Sequence, residues 1–268
     1  MKVLTDTHAH LYLEHFDHDR DEVMKRALSN GVSRIFLPNV DGETIKALYS
    51  LVDNYPKNCF PMMGLHPCSV KENFEEELQT AENELKNSGR KFYAVGEIGL
   101  DFYWDLTFRE QQFVALERQI NWAKELNLPV VLHCRNSFTE TLKVIQQHHA
   151  TGNLSGVFHC FSGTVEEALQ VSQLDNFYMG IGGVVTYKKT TLIEVIETLD
   201  LSHFVLETDS PYLAPEPYRS SKYRNEKRNE SAYILNIAQK MAEIKKVSLE
   251  EVAHITTQNA IRLFQLDR

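Results

Sequence analysis

Residues 109–135, REQQFVALERQINWAKELNLPVVLHCR, hold a helix and then a strand, and that order decides the fold. Phe113, Leu116, Ile120, Ala123 and Leu126 recur at steps of three and four, the stripe by which an amphipathic helix lies on a sheet. After Asn127 and Leu128 the pattern changes. Pro129-Val130-Val131-Leu132 is a short, continuously apolar run of the kind a buried parallel strand shows, and it stops on His133.

The same alternation extends in both directions, which is the signature of βα units. Upstream, strand-like runs at Lys2–Asp6, Arg34–Pro38, Phe60–Gly64 and Tyr93–Gly96 are separated by helical patterns near Asp19–Ser29, Glu43–Asn54 and Phe74–Asn87. From Val130–His133 onward, Gly156–His159, Tyr178–Ile181 and Phe204–Glu207 alternate with Phe138–His148, Val165–Leu174, Thr190–Leu199 and Ser231–Lys245. Eight parallel strands with crossover helices close most economically into a (β/α)8 TIM barrel; the competing arrangement is an open doubly wound sheet. An extra C-terminal helix near Ser248–Phe264 opens on a capping-box sequence, Ser248-Leu249-Glu250-Glu251, and is expected to complete the outer ring.

The 268 residues suffice for one large core, and no Pro- or Gly-rich linker divides them, so 1–268 reads as one domain. The opening Met1-Lys2-Val3-Leu4-Thr5-Asp6 lacks the apolar core of a secretory signal, and no later stretch is apolar enough for a bilayer, so a cytoplasmic protein with no membrane partner is expected. Cys59, Cys68, Cys134 and Cys160 show no CxxC spacing and read as reduced packing residues. A net charge of −9 argues against a surface made for broad grip on duplex nucleic acid. A local basic rim is still available at residues 218–228, where Arg219, Lys222, Arg224, Lys227 and Arg228 face only Glu226.

Histidines and acids fall at the C-terminal ends of the expected strands, the active face of a barrel. His8 and His10 follow the first strand, His66 the third, Glu97 the fourth, His133 the fifth, His159 the sixth and Asp209 the eighth. In His8-Ala9-His10 the extended period of two puts both imidazoles on one side. Glu97 stands between Gly96 and Gly99, which permit close backbone approach. Glu207 and Asp209 share a face, with Glu207 deeper; a buried carboxylate needs a cation or donors, so the pair fits a site better than a core. Asp209 is the expected ligand and general base, and Glu207 is expected to orient a histidine or Arg135. By strict alternation Cys134 and Cys160 should point away from the barrel axis.

Nitrogen and oxygen donors without thiolates suit Zn, Mn, Ni or Mg, and six of them are enough for two divalent metal ions with Glu97 between them. That equipment hydrolyses a phosphodiester, a carboxyl ester or an amide. Arg135, two residues after His133, is placed to hold a phosphate oxygen; His66 can donate to a phosphate or leaving group; Tyr103 and Trp104 can offer a base a stacking surface.

Together, Asp6-Thr7-His8-Ala9-His10-Leu11, Gly64-Leu65-His66-Pro67, Gly96-Glu97-Ile98-Gly99-Leu100-Asp101, His133-Cys134-Arg135, His159-Cys160-Phe161-Ser162-Gly163 and Glu207-Thr208-Asp209-Ser210-Pro211-Tyr212-Leu213 resemble the TatD family of metal-dependent deoxyribonucleases. The likeness spans the chain, and Asn259-Ala260-Ile261-Arg262-Leu263-Phe264 is also similar. The resemblance implies a barrel of the amidohydrolase superfamily and a divalent-metal nuclease whose partner is DNA, attacked from its 3′ end. It maps metal ligation onto His8, His10, Glu97, His133, His159 and Asp209, and substrate contact onto His66. Two positions depart from the family pattern: Ser231, where proline is common, and Asn136, where an acid is frequent; neither is expected to touch a ligand. The alternative enzyme is an ester or amide hydrolase such as a D-aminoacyl-tRNA deacylase, and the alternative class is a non-catalytic barrel.

Overall fold

The computed structural model describes residues 3–222 and 227–266. Strands β1 (Leu4–Asp6), β2 (Val32–Leu37) and β3 (Cys59–Pro61) pair in parallel and in that order. So do β4 (Val95–Asp101), β5 (Val130–Arg135), β6 (Gly156–Phe158), β7 (Phe177–Ile181) and β8 (Phe204–Leu206). Two parallel bridges join the groups, Met63 to Val95 on one seam and Ala9 to Ser210 on the other. On the second seam Thr7 N–H donates to Leu206 O at 3.0 Å and Asp209 N–H to His8 O at 2.9 Å. The ring is therefore closed, and its strands follow chain order without the reversal that defines a doubly wound sheet.

Around it lie α1 (Arg20–Ser29), α2 (Ile45–Asn54), α3 (Phe74–Asn87), α4 (Arg109–Leu126), α5 (Phe138–His149), α6 (Val165–Ser172), α7 (Leu192–Thr198), α8 (Ile234–Lys245) and α9 (Leu249–Leu263). The α4 stripe buries Leu116, Ile120 and Ala123, and the helix ends where Asn127 turns to φ 53°, a left-handed conformation that Asn tolerates. Thr164 and Glu167 form a reciprocal capping box on α6. At α9, Ser248 Oγ accepts the Glu251 N–H at 3.1 Å. No helix is long and apolar enough to cross a membrane among the described residues.

Phe36, Met62, Ala94, Val131, Val157, Tyr178 and Val205, one from each of β2 to β8 or its margin, form one buried cluster facing the barrel axis. Two residues further along three of these strands come His133, His159 and Glu207, so the period of two that packs the floor also aims the polar groups inward above it. The last helix differs from expectation. Rather than only completing the outer ring, α9 sends Ala260, Leu263 and Phe264 into the interior cluster, where the Phe264 ring stacks on Phe36 with centroids 3.9 Å apart. Asn259 Nδ2 fastens it by donating to the carbonyls of Leu201 and Phe204. Phe264→Ala should cost about 3–5 kcal/mol, read as a lowered urea midpoint with an unchanged slope.

Strand β4 continues past Gly96 to Asp101, longer than its apolar run suggests. Gly99 allows this: at φ 147° it lies against β5 so closely that a Cβ there would stand 2.0 Å from the His133 carbonyl oxygen. Glu97, Gly99 and Asp101 thus alternate on one strand that leads to the barrel mouth.

Candidate metal centre

His8, His10, Glu97, His133, His159 and Asp209, brought from five different stretches of chain, meet at the C-terminal end of the barrel. The centre of the cluster is Glu97, whose two oxygens face different partners. Its Oε2 lies 3.1 Å from His8 Nε2 and 3.5 Å from His10 Nε2. Its Oε1 lies 2.9 Å from His133 Nδ1, 3.3 Å from His66 Nε2 and 3.9 Å from His159 Nε2. Asp209 Oδ1 closes the other side, 3.7 Å from His10 Nε2 and 3.6 Å from His159 Nε2.

Hydrogen bonds behind the imidazoles decide which nitrogens present lone pairs. Tyr12 spends its hydroxyl proton on Pro38 O at 2.6 Å, so its oxygen accepts from His10 Nδ1 at 2.9 Å and leaves His10 Nε2 unprotonated towards Glu97 and Asp209. Asp101 Oδ2 accepts from His133 Nε2 at 2.8 Å and turns Nδ1 to Glu97; against the effect of burial, the two carboxylates raise this imidazole to about 9, so a cation at Nδ1 would have to replace a proton. Glu207 Oε1 stands 3.1 Å from His159 Nδ1, near enough for charge attraction but without hydrogen-bond geometry, while His159 Nε2 faces Asp209. His66 is the opposite case. Its Nδ1 accepts the Cys68 N–H at 3.0 Å, so the proton sits on Nε2 and His66 offers the site a donor rather than a lone pair.

Burial, reinforced by His159 stacked on it at 3.4 Å, holds His8 well below the usual imidazole range and so neutral. Burial alone would protonate Glu97, but the neighbouring imidazoles, His66 first and His159 with it, outweigh it and hold the carboxyl well below its usual range. Among the described residues no Lys or Arg pairs with Glu97, Asp209 or Glu207. Two imidazole nitrogens only 3.2 Å apart, His8 Nε2 and His10 Nε2, share a carboxylate oxygen with no Lys or Arg paired to it among the described residues. This donor set suits divalent cations of intermediate hardness.

Several residues lie elsewhere than expected. Cys160 turns towards the cluster: its sulfur and the donor atoms of His159 and Asp209 all lie within 4.8 Å of one another. β6 has ended at Phe158 and Cys160 sits at φ 45°, so strand alternation no longer governs its direction. Burial keeps its thiol well above the ordinary range, hence protonated. Arg135 is exposed, and its guanidinium lies over the Tyr103 ring at 3.9 Å instead of reaching into the cluster. In the expected basic rim, Arg228 is taken by Asp19 and Arg219 lies over Tyr187, while Arg224 and Glu226 fall outside the described residues.

Three supporting residues went unread in the sequence. Tyr12 and Asp101 carry a signal, since each lies at an even spacing from a site residue on the same chain segment, His10 and Glu97 respectively. Asp6 is the third. Its buried carboxylate accepts from the Thr208 hydroxyl at 2.6 Å, the Ser231 hydroxyl at 2.6 Å and the backbone N–H of Thr208 and His8. Ser231 touches no candidate ligand side chain, but it connects through Asp6 to the backbone of His8.

Residues 5–265 match the model of the TatD-related DNase family. An uncharacterized metal-dependent hydrolase of Bacillus subtilis is 36% identical, over 99% of this chain and 100% of its own. A protein of Erwinia tasmaniensis named a 3′-5′ ssDNA/RNA exonuclease is 31% identical over 94% of this chain and 95% of its own. The crystal structure of a TatD homologue from Escherichia coli superposes with a TM-score of 0.89 at 28% identity, covering 98% of each chain. The site, the ring of strands and these likenesses agree: the chain belongs to the TatD family of metal-dependent hydrolases.

Proposed function

We propose that the protein is a two-metal nuclease that removes nucleotides from the 3′ end of single-stranded DNA. The observation that carries this reading is the division of Glu97, with Oε2 towards His8 and His10 and Oε1 towards His133. One cation would be held by His8, His10, Glu97 and Asp209, the other by Glu97, His133 and His159. Cations so bound lower the pKa of water and polarise a phosphoryl oxygen.

The chain's own groups supply the rest. Asp209, the most open of the three acids in the cluster with its side chain 14% exposed, receives the proton of the attacking water on its carboxylate. His66, with its proton on Nε2, donates to the leaving oxygen or a phosphate oxygen. Tyr12 and Asp101 orient His10 and His133, and the Glu207 carboxylate lies behind His159 as its nearest negative charge. Glu207 occupies a hollow that exists because residue 180 is glycine; a Cβ there would meet the Glu207 carboxylate at 2.3 Å. Glu207→Gln should weaken metal binding by about 10–100-fold, measured by titration of the metal-free protein, with the fold intact by circular dichroism.

The test of function is a 5′-labelled single-stranded oligodeoxynucleotide incubated with protein loaded with Mg, Mn or Zn. A ladder of products shortened from the 3′ end is expected. Absence of shortening with all three metals overturns the nuclease reading, and faster release of a D-amino acid from mischarged tRNA assigns the site to the ester-hydrolase alternative.

A further inference from the structure

The loop after β4 carries an exposed indole beside a cation. Trp104 is 68% and Tyr103 53% exposed, with their rings edge to face at 5.0 Å. The Arg135 guanidinium, at the end of β5, lies 3.9 Å from the Tyr103 centroid and 5.1 Å from that of Trp104. Arg135 makes no ion pair among the described residues, so stacking fixes its plane while its N–H edge stays open. An indole this exposed leaves a large apolar face in water. The loop is also tied to the site. Asp101 Oδ1 accepts the N–H groups of Tyr103 and Trp104 at 2.9 and 3.1 Å, while Oδ2 of the same carboxylate accepts from His133.

We propose that Trp104 and Arg135 form a nucleotide subsite at the barrel mouth, the indole stacking on a base and the guanidinium holding the adjoining phosphate. The inference rests on the nuclease reading and extends it to substrate choice. A flat aromatic face beside an open guanidinium is the combination that grips single-stranded nucleic acid without reading its sequence, because every base has a π-face and every linkage a phosphate. A duplex end would have to fray to reach it, so the subsite favours single strands. The Asp101 carboxylate sets the platform and His133 together, which fixes where a stacked nucleotide stands relative to the candidate metal centre.

Trp104 can report on its own occupancy, since the chain has two tryptophans and the other, Trp122, is buried on α4. The metal-loaded protein is titrated with an all-phosphorothioate oligothymidylate and with an abasic oligomer of equal length. Quenching of the exposed tryptophan by the first and not by the second is expected. Kinetically, Trp104→Leu should raise KM for single-stranded DNA by about 5- to 150-fold with a smaller change in kcat, and Trp104→Phe should recover most of the loss. Arg135→Gln should raise KM for oligonucleotides of any base to a similar degree. If the native protein shortens DNA but Trp104→Leu leaves KM unchanged, or the two oligomers quench alike, the subsite is wrong and the nuclease reading stands. If the native protein binds and cleaves bis(p-nitrophenyl) phosphate but neither binds nor shortens the oligonucleotides, the nuclease reading fails and takes the subsite with it.

Discussion

Asp209→Asn is expected to lower kcat on single-stranded DNA by roughly 10²- to 10⁴-fold, the size of a lost general base, while the protein folds normally. The substitution suits its position. Asp209 adopts φ 56°, a left-handed conformation that few residues other than Gly accept but Asn does. Its backbone N–H bonds to His8 O and its carbonyl accepts from Tyr212, contacts that an amide side chain leaves alone. What changes is the oxygen facing His10 and His159, which loses its charge and its capacity to take a proton. Elemental analysis separates the two consequences. Lost turnover with most of the metal retained identifies a base; lost turnover with lost metal identifies chiefly a ligand; kcat within tenfold of the native value removes Asp209 from both roles.

The sequence makes the ring of strands legible because apolar runs and amphipathic stripes each report burial, and burial is what a barrel imposes on both faces of every strand. It makes the candidate site legible for a related reason: Val131 and Val157 pack the floor, so His133 and His159, two residues on, must face the same axis. That logic fails where the backbone leaves the extended conformation. Cys160 should point outward by alternation, but its left-handed φ turns it inward. It fails again where a side chain has a partner that only the tertiary fold supplies. Arg135 leaves Glu97's surroundings for the ring of Tyr103, and Arg228 reaches Asp19 across 209 positions of chain. The orientations of His10 and His133 depend on Tyr12 and Asp101, whose even spacing from His10 and Glu97 hints at a shared face but not at the hydrogen bonds they make.

Glu97→Gln should have the broader effect, because it damages both halves of the centre with one amide. A carboxylate presents acceptors on both oxygens; glutamine presents one acceptor and one donor. Whichever way the amide is turned, its NH2 faces nitrogens that a cation would need: His8 Nε2 and His10 Nε2 in one orientation, His133 Nδ1 in the other. A hydrogen bond can satisfy that nitrogen, but it occupies the lone pair that a cation needs and removes the negative charge between the two positions. Supporting residues of metal sites cost about 10- to 100-fold in affinity when altered, so loss of a bridging carboxylate should exceed about 100-fold. The expected result is a fall in tightly bound metal from two ions per chain to one or none, with kcat/KM on single-stranded DNA reduced by more than about 100-fold. Glu97→Asp separates charge from reach: it restores the negative charge on a side chain one methylene shorter, so it should recover one ion without recovering turnover. Two ions retained by Glu97→Gln would show that Glu97 does not bridge, and the two-metal arrangement would have to be rebuilt around Asp209.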